Sequence, residues 1–163
     1  MSDVFILDLG DTIKGNCAID GYADKVIVNS FAHGAYIPMA GDAANTERTS
    51  GRPVLSEMTF VKFSDLSTTE LFKACTRGTK IGTATLHIGR VENGIYMNFM
   101  TYAMDNAMIS QMNSAGGGNT GIPADSFSIN FTKIKADFTQ QKTDSTAKGT
   151  GTWNWNLETM KPD

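Results

Sequence analysis

Along most of this chain apolar residues recur at every second position, the spacing of a half-buried strand. Helical spacing occurs in one place. VFILDL (4–9) is a short apolar run, and GDTIKGNCAIDGYAD (10–24) is rich in turn residues. KVIVNSFAHGAYIPM (25–39) reads as a long β segment, with Val26, Val28, Ser30, Ala32 and Gly34 on one face and Ile27, Asn29, Phe31 and His33 on the other. PVLSEMTFVKF (53–63) sets Val54, Met58 and Phe60 against Leu55, Val61 and Phe63. Residues 80–104 predict a hairpin turning at Glu92-Asn93-Gly94, because Asn-Gly tolerates positive φ at both turn positions; the second arm extends to about residue 113. TWNWNLETM (152–160) is a last strand.

The helical exception is DLSTTELFKACTRG (65–78), predicted as a helix over 67–78. Ser67 reads as its N-cap, Glu70 completes a capping box, and Leu66 with Leu71 has the spacing of a hydrophobic staple. Leu71, Ala74 and Cys75 share an inward face, Lys73 and Arg77 sit toward the last turn, and Gly78 suits the left-handed closing residue.

Between 125 and 141 the alternation changes phase. Phe127, Ile129 and Phe131 are followed by Ile134, Ala136 and Phe138. A strict strand cannot bury both sets on one face. The pattern predicts either a bulge near Thr132-Lys133 that restores the face or a crossing between packed surfaces. With about seven strands, one helix and no βαβ alternation, the expected fold is mainly β: a small antiparallel barrel or two-sheet sandwich forming one domain over 1–163. Polar segments at 40–53, 114–123 and 142–151 read as loops.

A net charge of −3 without a basic cluster argues against nucleic acid, since phosphate binding needs grouped Lys and Arg. No apolar run reaches the ~20 residues of a membrane helix. The acidic start MSDVFILDLGD lacks the pattern of a signal peptide, so cytoplasmic synthesis is expected, and any export would use a route without a cleaved signal. Cys17 and Cys75 read as reduced cysteines, Cys75 as a small buried hydrophobe. His33 and His87 each fall in a predicted strand, where a structural role outweighs a catalytic one. No metal-ligand spacing, nucleophile elbow or phosphate loop is present, so no cofactor and no catalytic residue is expected. Met97, Met100, Met104, Met108 and Met112 lie along one segment, as core filler or as an adaptable apolar surface.

The string Asp65-x-Ser67-x-x-x-Leu71-x-x-Ala74-Cys75-x-x-Gly78 resembles the central motif of the haemolysin-coregulated protein (Hcp) family of type VI secretion. Collinear with it, Ile13-Lys14-Gly15-Asn16 resembles the family's early turn, with Asn in place of Glu. Phe31-Ala32-His33-Gly34 resembles its aromatic-small-aromatic-Gly strand end, with His as the second aromatic. Ile129-Asn130-Phe131 and Trp155-Asn156-Leu157 match the late motifs, with Asn154 where Gly is usual. The resemblance implies a β-barrel with one helix at its side. It further implies homohexameric rings stacked into the inner tube of a contractile machine. A sheath would drive that tube out with a spike protein at its tip, and effectors would ride in the lumen. Secretion out of a bacterial cell or into a target cell follows from the same resemblance.

A lumen-facing strand should lack bulky apolar side chains, which makes Ser30, Ala32 and Gly34 the cargo-facing candidates. Ring stacking needs rim loops, and the 40–53 segment offers Asp42, Glu47, Arg48 and Arg52. The competing readings are a monomeric barrel that binds a small ligand and a hydrolase using His33 or His87.

Overall fold

The computed structural model describes residues 3–40, 49–119, 121–141 and 147–163. Thirteen strands and one helix occur among them. The strands are β1 (Asp3–Asp8), β2 (Val26–Val28), β3 (Ser30–Ala32), β4 (Ala35–Tyr36), β5 (Met39–Ala40), β6 (Thr49–Ser50), β7 (Val54–Leu55), β8 (Met58–Phe63), β9 (Lys80–Glu92), β10 (Ile95–Ala115), β11 (Ala124–Asn130), β12 (Lys133–Gln141) and β13 (Ala147–Asn156); helix α1 spans Ser67–Arg77. Nine strands form one antiparallel sheet, ordered β2-β1-β9-β10-β11-β8-β3, with β12 and β13 continuing from β10. The fold is the mainly β, one-helix architecture that the alternation predicts.

The path of paired strands begins on β2 and ends on β3, and these are one run of chain joined at Asn29. Val26 to Val28 pair with β1, whereas Ser30 to Ala32 pair with β8, and the Asn29 N–H donates to the Val61 carbonyl of β8 at 2.7 Å. Together these pairings wrap the sheet around the core like a barrel. They also correct the expected face. Val26 and Val28 are buried, but Ser30, Ala32 and Gly34 are exposed, because the chain bends at Asn29 as it changes partner. The interior is filled by Leu7, Phe60, Leu86, Met104, Phe127, Ile129 and Ile134, all 0% exposed.

The phase change in 125–141 marks a break between β11 and β12 at Phe131-Thr132. Phe127, Ile129, Phe131 and Ile134 all belong to the core, so the break restores the buried face. Its counterpart is on β10, where Asn106 has φ 54° and burial passes from Met104 to Ala107 and Ile109. Asn130 still faces Met108 and Lys133 faces Asp105, so both strands reverse face together without losing register. Beyond the break the chain exchanges β8 for β13 as its second neighbour. The hairpin turn is as expected, with Asn93 and Gly94 at φ 53° and 77°. β13 starts at Ala147, earlier than the predicted strand, and ends at Asn156. Gly15 of the early turn runs so close to Lys25 that a Cβ there would lie 2.6 Å from its carbonyl oxygen.

Helix α1 starts differently from expectation. Ser67 is not the cap: it is buried inside the first turn, and its hydroxyl and N–H both donate to Asp65 Oδ1. Instead the Asp65 N–H donates to Thr68 Oγ1 at 3.0 Å, and the Thr68 N–H donates back to the Asp65 carbonyl at 3.2 Å. Glu70 pairs with Lys73 at 2.8 Å, and Leu66 is 79% exposed, so there is no staple to buried Leu71. The carboxylate of Asp65 outcompetes a serine hydroxyl because it can accept several donors at the positive helix end. Gly78 closes the helix in the left-handed region, at φ 62°. Leu71 and Ala74 join the core and Cys75 packs beside it.

The helix start sits on a buried ion pair. Lys62, on the core face of β8, is 0% exposed, as is Asp125 on β11. Lys62 Nζ lies 2.9 Å from Asp125 Oδ2 and 3.0 Å from Asp65 Oδ1. Asp125 also accepts from the hydroxyls of Ser64, Thr68 and Ser114. Burial pushes its carboxyl up from the ordinary 3.8, but the bonds from Ser114, Thr68, Lys62 and Ser64 outweigh that and bring it down to about 2.

Two expectations follow. Lys62→Met strands a buried carboxylate and should cost about 3–5 kcal/mol in urea unfolding, while adding Asp125→Leu should recover much of the loss. Equal losses in the single and double variants would show that the two charges are not coupled. Because the folded value of Asp125 lies below the unfolded one, its contribution is complete above about pH 4 and disappears as pH falls through about 2, roughly 2 kcal/mol in all. Unfolding measured across that window should show an acid limb that Asp125→Asn lacks.

Candidate functional site

Strand pairing arranges the outward face of β3, β8, β11 and β10 as a grid. One row is Ser30, Val61, Ser126 and Asn113; the next is Ala32, Thr59, Ser128 and Gln111. The inward residues of these strands, Phe60, Phe127 and Ile129, are held by the core, so period two places this other set together on the opposite face, with Ser128 itself buried there. Every side chain in the grid is uncharged, and Thr59 Oγ1 lies 3.4 Å from Ser128 Oγ. Hydroxyls and amides both donate and accept, so such a face can bond varied polar groups without demanding a charge. Glu57 lies beside the grid, and its carboxylate accepts from Ser110 and Asn130.

Ser30 and Ala32 thus come together on one exposed face. Gly34 lies past the end of β3, where its N–H and carbonyl bond the Ser56 hydroxyl and N–H at 2.8 Å each. The segment expected to be an unpaired loop has a paired base: Met39 faces Ser50, and Ala40 faces Thr49. Arg52 is exposed just after that base, while Asp42, Glu47 and Arg48 lie outside the described residues.

The histidines have structural environments. His33 Nδ1–H donates to the Ser56 carbonyl at 3.1 Å, and its ring lies among Tyr102, Phe131 and Trp153. Burial holds its pKa below the ordinary imidazole value, against a smaller upward pull from the Ser56 carbonyl. His87 Nδ1 accepts from the Asn98 amide at 3.2 Å, and its ring meets Tyr22 edge-on. Neither contact supplies a nucleophile. Cys17 and Cys75 are both free thiols.

An apolar groove lies on the core-facing side of the β12–β13 hairpin, where Ala136 pairs with both Tyr102 and Trp153. His33, Met100, Tyr102, Phe138 and Trp153 line a hollow of about 430 Å³. Tyr36, Ile37, Leu55, Trp153 and Trp155 line its neighbour, of about 280 Å³. Neither this groove nor the Lys62–Asp125 pair was read from the sequence. A signal existed for the pair, since Lys62 shares parity with Met58 and Phe60, and Asp125 with Phe127 and Ile129.

The chain folds as an antiparallel, barrel-like sheet with one helix packed against it. The profile of the family described as "Type VI secretion system effector, Hcp" matches residues 6–138, and the chain belongs to that family. Protein hcp1 of Pseudomonas aeruginosa is 23% identical over 104 residues, which cover 63% of this chain and 64% of that protein. Among solved structures, one described as a type six secretion system protein superposes with a TM-score of 0.90 at 19% identity, covering 99% of this chain and all of the other. Hcp1 from Salmonella typhimurium superposes with a TM-score of 0.80 at 16% identity, over the full length of both chains. At these identities the superpositions establish the fold.

Exposed grid positions tolerate large side chains as far as folding is concerned. Ser30→Arg and Ala32→Arg should each shift urea unfolding by no more than about 0.5 kcal/mol. A loss of several kcal/mol in either variant would place that face inside the core.

Proposed function

We propose that this chain is the subunit of the type VI inner tube. It assembles as homohexameric rings that stack, and the tube passes through a contractile sheath carrying a spike protein at its tip. Made in the cytoplasm, the rings are delivered outside the cell or into a target cell, and effector proteins travel in their lumen. The whole chain, 1–163, acts as one such unit.

The observation that carries this reading is the uncharged grid of Ser30, Ala32, Thr59, Val61, Ser126 and their β10 neighbours on the outside of a fully packed Hcp fold. Repeated around a closed ring, this face makes a lumen wall of small polar groups. Weak bonds per subunit then add into retention of a cargo. A packed interior and histidines without nucleophiles leave the work of the protein to its surfaces. The arm based on Met39–Ala40 and Thr49–Ser50, with Asp42, Glu47, Arg48 and Arg52, forms the rim contact between rings.

Native mass across a range of concentrations tests the assembly. The expected species is a ring near six times the 17.6 kDa chain, with larger stacks as concentration rises. Replacing residues 42–51 by a short Gly-Ser linker should keep the ring and weaken stacking. A monomer at every concentration would defeat the tube reading, and undiminished stacking by the shortened chain would remove the arm from it.

A further inference from the structure

The groove beside β12–β13 exposes a set of large apolar side chains. Tyr36 is 63% exposed, Phe138 44%, Ile37 42% and Trp153 41%. With ~150–250 Å² per aromatic side chain, these fractions give a patch on the order of 400 Å². A standard interface buries ~800 Å² per partner, so the patch supplies about half of one side. Its composition, aromatics with Met100 among them, is that of interface cores.

The groove also contains two polar atoms that the fold buries without partnering. His33 Nε2 has no hydrogen-bond partner, and neither does Trp155 Nε1. Since His33 Nδ1 carries the proton given to Ser56, Nε2 is an acceptor; the indole N–H of Trp155 is a donor. Native structures leave few buried groups in that condition.

A second apolar cluster lies at the opposite end of the barrel. Phe63 is 59% exposed, Ile122 64% and Leu66 79%. Phe63 ends β8 opposite Ala124, and the Ser64 N–H donates to the Pro123 carbonyl at 2.9 Å, which gathers the three at one corner. The groove begins at Gly34–Ser56, before the other end of β8, and extends along β12 away from that corner. Six strand residues alone span ~20 Å. One patch is concave and the other projects, so neither complements itself. Contacts between two unlike patches repeat from copy to copy.

We propose that the Trp153 groove receives the Phe63–Leu66–Ile122 corner of a second copy of this chain. The corner's apolar side chains cover Trp153 and Phe138. This deepens the tube-subunit reading and rests on it, because it assigns the surfaces by which copies join.

Two variants test it by native mass. Trp153→Glu disables the groove and keeps the corner; Leu66→Glu with Ile122→Glu disables the corner and keeps the groove. Each alone should need at least about tenfold more protein to reach the wild-type species. Mixed, they retain one working groove facing one working corner. The mixture should therefore recover a species of twice the mass of the separate variants and nothing larger. Circular dichroism and melting temperature check folding, and Tyr36→Glu replaces Trp153→Glu if the latter does not fold. Variants that assemble like the wild type, or a mixture without doubling, would overturn the docking while the tube reading stands. A wild-type chain that never assembles would overturn both.

Discussion

Lys62 and Asp125, register partners on the paired strands β8 and β11, tie that ladder to the start of the helix. The pair joins β8 to β11, and through Asp65, Ser67 and Thr68 it holds the first turn of α1. Burying two charges is expensive, and it becomes tolerable only when each remaining lone pair and proton finds a partner. Ser64, Thr68 and Ser114 complete the set from three separate elements. Until β8, β10, β11 and the helix are all in place, the charges lack partners. The cluster therefore selects one arrangement of the barrel end over looser ones that would bury the same apolar area.

From that anchored end the rest of the design follows by strand period. Core side chains fix the parity of β8, β10 and β11, and the opposite parity forms the uncharged outer grid. The same logic explains the two bends. At Asn29 the chain leaves β1 for β8 and turns its small residues outward. At Phe131-Thr132, matched by Asn106 on β10, it turns its large residues back inward and frees β12 to build a second edge with β13. The first bend makes the candidate lumen face. The second makes the groove, because it carries Phe138 along the core-facing side of β12 past Ala136, beside Trp153 of β13.

The two surfaces are chemically unlike, as the roles proposed for them require: copies of the chain held firmly and cargo held loosely. Aromatic and methionine side chains in the groove give area and desolvation. Hydroxyls and amides on the grid give many weak, interchangeable bonds. A charged grid would favour cargo of one sign only, and an apolar one would hold it too tightly to release.

Much of this was legible in the sequence. Alternation marked the strands because period two is a local property, and Asn93-Gly94 marked its turn because only such residues accept that backbone. The phase slip in 125–141 located a break to within a residue or two, since side-chain parity is a strict consequence of the pleat. The collinear motifs around Asp65, Gly15 and Trp155 located the family. Beyond this, only the tertiary structure decided. Asp65 rather than a Ser67 hydroxyl accepts the first-turn N–H because Lys62 holds its carboxylate there. Ser30 and Val28 face opposite ways because two different strands claim neighbouring residues. The groove gathers His33, Met100, Phe138 and Trp153 from distant segments. Each of these outcomes depends on which strands become neighbours, and that choice is made by burial summed over the whole core, which no single stretch of the chain contains.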